Sequence, residues 1–150
     1  MMNIDRLLTM VDETQTRVTR GVNKVLKESG EPLKEEISQR INRTDLDRIH
    51  AEYDVQMTNV KSENNGLSKY IEVGYGRATG WRMYFVEYGT YSRFKNEGGA
   101  KGVRPQHIIQ KSTESQKANV LKIQKEGLHN SKNQVLTSWI VAHRAEHREL

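Results

Sequence analysis

The chain has no cysteine, only two prolines and only two phenylalanines in 150 residues, and each shortage excludes something. Without cysteine there is no disulfide framework and no thiolate metal site, and the redox state of the compartment is left open. Long apolar runs are missing too. The longest, Met83 to Val86 and Trp139 to Ala142, fall far short of the ~20 residues that span a bilayer, so no membrane partner is expected. The start, MMNIDRLLTMVDE, lacks the basic stretch and apolar stretch of an export signal, and an intracellular or virion-internal soluble protein is expected.

Apolar side chains are also scarce. Leu, Ile, Val and Phe number 33 of 150, about 22%, just above the ~20% level that suggests disorder. A single domain spanning 1–150 is expected to fold, but around a lean core, and lean cores are commonly completed by neighbouring copies.

The net charge of +5 is unevenly placed. Residues 1–62 hold ten basic and eleven acidic side chains, whereas residues 63–104 and 105–150 each hold seven basic and four acidic ones. Basicity therefore belongs to the middle and the C-terminal part, compatible either with a facing polyanion such as DNA or with ordinary solubility.

Patterning predicts an α+β fold with an N-terminal helical arm (1–50), a small antiparallel β-meander of three or more strands (51–90), a loop (91–104) and C-terminal helices (105–150) packed on one sheet face. Ile4, Val11, Val18 and Val25 recur every seven residues, a helix stripe that either forms a seam between subunits or lies on the chain's own sheet. Asn3 can cap this helix and Gly30 can end it. A second helix is predicted from Pro32, with Leu33, Ile37 and Ile41 on one face. The period then changes to two at Tyr53, Val55 and Met57, and Asn65-Gly66 is a hairpin signal. Strands follow at about 69–76 and 81–89, the latter with Trp81, Met83 and Phe85 on one face and Tyr84, Val86 and Tyr88 on the other, so that it is apolar on both faces and expected to be buried in the middle of the sheet. Helices are expected from Pro105 to about His129 and over 134–148, broken at Asn130 to Asn133.

Three strings suggest chemistry. His143, Glu146 and His147 spell H-x-x-E-H, an inverted zinc-peptidase pattern. A catalytic zinc needs a third protein ligand, and surface residues on a polar helix are the better account, so no metal site is assigned. Gly74, Gly76 and Gly80 miss the dinucleotide spacing by one residue and join two predicted strands. No phosphate loop, nucleophile elbow or convincing carboxylate pair is present, so neither an enzyme nor a cofactor is expected. Tyr91, Arg93, Phe94, Lys95, Lys101 and Arg104 interleave aromatic and basic side chains on the one long loop. Such a loop can stack on bases and neutralise phosphates, order against a neighbouring subunit, or remain solvated.

The stretch Val86-Glu87-Tyr88-Gly89-Thr90, preceded by a Tyr-Phe pair and followed by a variable loop and a Pro105-x-x-Ile108-Ile109 helix start, resembles the tail-completion, or head-to-tail joining, family of tailed bacteriophages. The resemblance covers roughly residues 33–129. It implies a V-E-[FY]-G-T strand end on a small antiparallel sheet, and a virion protein of the neck or tail made in the host cytoplasm. It further implies a ring of identical subunits around the DNA channel, commonly sixfold, whose partners are further copies and other neck, connector or tail-tube proteins. The alternative from another class is a small basic nucleic-acid-binding module.

Overall fold

A computed structural model describes residues 4–41, 51–66, 68–90 and 102–146, with side chains as far as residue 138. It is a mixed helix and sheet protein, α+β in class. Contacts divide the chain into two compact units, one containing residues up to Ser29 together with those from Leu121 onward, the other Gly30–Val120.

The first helix, α1, runs from Ile4 to Arg40 without the expected break at Gly30 and Pro32. Gly30 is a close-approach position, not a cap. A Cβ there would stand 2.5 Å from both Ile71 Cδ1 and Met57 Sδ, so the bare Cα leaves room for these two side chains of the hairpin. Pro32 removes one backbone donor from the helix interior, and the burial of Ile37 five residues later favours continuing the helix regardless.

Four short strands follow: β1 (Val55–Met57), β2 (Lys61–Glu63), β3 (Ser68–Tyr70) and β4 (Val73–Tyr75). They form two two-stranded antiparallel sheets, β1 with β4 and β2 with β3, in the registers Met57↔Val73 and Lys61↔Tyr70. Three residues on one side face two on the other between those pairs, a bulge spanned by Thr58 N–H to Glu72 O at 2.9 Å. The ribbon turns at Asn64, Asn65 and Gly66, all with positive φ (51°, 56° and 88°), which is the turn chemistry that Asn-Gly predicts.

The predicted third strand of the meander is instead a helix, α2, over Gly80–Tyr88. The run is apolar at both periods. Trp81, Tyr84, Phe85 and Tyr88 recur at i, i+3, i+4 and i+7, the spacing of one helix face, as well as alternating across a strand. Burial decides between them: Met83 and Glu87 point inward together, one turn apart, while Phe85, expected in the centre of a sheet, is 45% exposed.

The core of this unit gathers Ile37, Ile41, Val55, Met83 and Ile108, with Leu33, Val73, Tyr75, Val86 and Ile109 packed against it. The last helix, α3, spans Ile108–Glu146 and continues through the predicted break at Asn130 to Asn133. In the helical unit, Gly127 accommodates Val25 and Gly21 accommodates Ser131, so small residues let α1 and α3 run close and antiparallel. The stripe of α1 does not lie on a sheet in this unit. Val25 is buried, but Ile4, Leu7, Leu8, Val11 and Val18 stay exposed. His143 and Glu146 fall where only the backbone of α3 is described, and His147 lies outside the described residues.

Candidate assembly site

Two buried carboxylates hold α2 at its ends. Asp54, at the start of the hairpin, accepts the backbone N–H of Thr79 at 3.0 Å and its hydroxyl at 2.8 Å through Oδ2, while Oδ1 accepts Gln56 Nε2 at 2.9 Å. Thr79 is fully buried, and its carbonyl receives the N–H groups of Arg82 and Met83. Gly76 leaves the room that Asp54 needs, since a Cβ there would collide with the carboxylate. The hairpin therefore fixes where the helix begins.

At the other end Glu87, 6% exposed, accepts the Tyr75 hydroxyl at 2.6 Å and the backbone N–H of Ile109 at 2.9 Å, both on Oε1. A carboxylate on the first turn of α3 satisfies an orphan donor and faces the positive end of the helix dipole. Burial, and then the bond to Glu87, push the Tyr75 phenol well above its ordinary range.

The segment from Val86 to Thr90 is tied to the segment from Val103 to His107 in antiparallel sense. Gln106 N–H donates to Val86 O at 2.8 Å and His107 N–H to Glu87 O at 3.4 Å, satisfying carbonyls that the end of α2 leaves open. Thr90 N–H donates to Val103 O at 3.0 Å, and Val103 N–H to Thr90 Oγ1 at 2.9 Å. Gly89 has φ +75°, and a Cβ there would lie 2.7 Å from Val103 O and 3.0 Å from Pro105 N. The stretch expected to be a strand end is thus the last turn of a helix and the clamp at the base of the 91–101 segment.

Of the predicted loop residues, Arg104 is exposed beside this clamp and Pro105 packs against Gly89. Tyr91, Arg93, Phe94, Lys95 and Lys101 lie outside the described residues. Pro105 stands three residues before α3, and His107, with φ +51°, supplies the carbonyl that accepts Lys111 N–H.

The outward face of α2 carries Trp81, Tyr84, Phe85 and Tyr88, exposed at 62%, 60%, 45% and 66%. Tyr84 packs edge-on to Phe85 at 6.1 Å and tilts against Tyr88 at 4.9 Å, so these rings form one patch. A cavity of about 350 Å³ opens beside it, lined by Tyr75, Tyr84, Glu87, Tyr88 and His107 among others. Sequence reading found the aromatic residues but assigned them to a core. It missed Asp54, Tyr75 and Thr79, although a lone acid between apolar neighbours, as in Tyr53-Asp54-Val55 and Val86-Glu87-Tyr88, was the available signal.

The chain matches no protein-family model, no curated protein and no solved structure.

Proposed function

We propose that the chain is a structural subunit of a tailed-bacteriophage virion, completing the tail or joining it to the head as a ring of identical subunits around the DNA channel. The carrying observation is the exposed aromatic face of α2, where Tyr84 packs against Phe85 and Tyr88 and Trp81 is exposed one turn before them. Contiguous exposed rings on a chain with a lean core favour burial against another protein surface, and Trp and Tyr are the residues that most often anchor such contacts.

The occupant is a second copy, meeting the α2 face with a different surface of its own, because a heterologous contact repeated by rotation generates a ring. The phage setting rests on the resemblance of Val86 to Thr90 and of the Pro105-x-x-Ile108-Ile109 helix start, and the helical form of residues 80–88 replaces the strand expected there. Glu87 and Gly89 contribute by holding the end of α2 against residues 103–109, not by contacting a substrate.

The test is biochemical. The protein should co-purify with virions in a constant ratio to other neck components and be lost from particles when the α2 face is made polar. Purified virions that lack it would contradict the reading.

A further inference from the structure

In the helical unit, a cleft of about 360 Å³ lies between α1 and α3, lined by Arg17, Arg20 and Lys24 from one helix and Ser131, Gln134 and Ser138 from the other, with Gly21 and Val135. Gly21 makes room for the Ser131 hydroxyl, which a Cβ would strike. Residues 14–27 and 130–138 hold five cations, Arg17, Arg20, Lys24, Lys27 and Lys132, and no carboxylate.

Those charges are poorly compensated. Glu13 stands one turn from Arg17, yet neither Arg17 nor Arg20 makes an ion pair with any described residue, and Lys24 meets Glu28 only at 3.7 Å in an exposed pair. Exposed pairs of that kind are easily displaced. Like charges gathered in a groove raise the local concentration of anions, and a planar guanidinium can donate two parallel N–H bonds to two oxygens of a phosphate. Ser131 and Gln134 add neutral donors on the opposite wall. Ser138 already gives its proton to Val135 O at 2.8 Å and contributes shape only.

We infer that this cleft binds a phosphate group, held by Arg17 and Arg20 with Lys24, Ser131 and Gln134. The inference does not depend on a role in a virion. Its source is either the phosphodiester backbone of a nucleic acid or a free phosphate, and one experiment separates them. The intact protein is titrated with pyrophosphate by calorimetry and with a labelled DNA duplex by anisotropy over a range of salt, in parallel with Arg17→Gln/Arg20→Gln and with Arg77→Gln/Lys117→Gln, which removes the same charge elsewhere.

Binding of the duplex, weakened at least about tenfold by the first pair and with its salt slope reduced by about two, assigns a backbone site, since each neutralised phosphate contributes about 0.9 to that slope. Binding of pyrophosphate alone, lost in the same variant, assigns a free phosphate. Circular dichroism should be unchanged, because both arginines are exposed. No binding of either probe, or equal effects of the two double variants, would overturn the inference.

Discussion

The carboxylate of Glu87 accepts the backbone N–H of Ile109 at 2.9 Å, so the last turn of α2 caps the first turn of α3. The same oxygen accepts the Tyr75 hydroxyl, which ties β4 to both helices. Glu87→Ala leaves the half-buried Ile109 and Tyr75 donors without that acceptor, and an unsatisfied donor costs up to about 1–3 kcal/mol when buried. Stability in urea melts should fall by roughly 2–4 kcal/mol. Glu87→Gln, which keeps an acceptor, should lose less.

Tyr75 gives the account a pH signature. Its phenol is held above the ordinary tyrosine value of 10.0 chiefly by burial, so the folded state keeps a proton that the unfolded state releases. The stabilising contribution is present below about pH 10 and declines as pH rises beyond it. Denaturant melts from pH 8 to 11 should therefore show a steeper alkaline decline in the native chain than in Tyr75→Phe. Parallel curves would mean that Tyr75 ionises as freely folded as unfolded.

Gly89→Ala should be among the most damaging small substitutions. The position combines φ +75° with backbone atoms 2.7 and 3.0 Å from where a Cβ would stand, and backbone cannot swing aside as a side-chain tip can. A loss of about 1–3 kcal/mol is expected from the strained backbone alone. Faster proteolysis between Thr90 and Val103 would show that the clamp has opened.

Phe85 and Met83 separate helix from strand. In α2, Phe85 faces outward and Met83 is 5% exposed. Phe85→Ala should cost under about 1 kcal/mol, whereas Met83→Ala should cost about 2–5 kcal/mol. The reverse order in thermal or urea melts would restore the strand pattern for residues 81–89.

What was legible in the sequence follows from which residues had only one reading. Leu33, Ile37 and Ile41 fit a helix face alone, and Ile37 and Ile41 are in the core. Asn65-Gly66 fits a turn alone, and it turns. Residues 81–88 satisfy both periods, so the choice fell to tertiary contacts that the local pattern does not contain: Asp54 anchoring Thr79 from 25 positions away, and Glu87 anchoring Ile109 from 22. Gly30, Gly127 and Asn130 to Asn133 look like helix ends by composition. They lie within continuous helices, and at Gly30 and Gly127 the missing Cβ admits a neighbouring element. In the candidate site, Val86 to Thr90 reads as a strand end by pattern, whereas its first three residues are the last turn of α2.

The most direct measurement is the mass of the purified protein in solution, by light scattering after size exclusion, for the native chain and for Trp81→Ser/Tyr84→Ser/Tyr88→Ser. All three side chains are exposed, so the variant should keep its helical circular dichroism. The account predicts a multimer that the variant reduces to the 17.3 kDa chain. A native protein that stays monomeric at high concentration, or a variant that assembles as the native chain does, would contradict it.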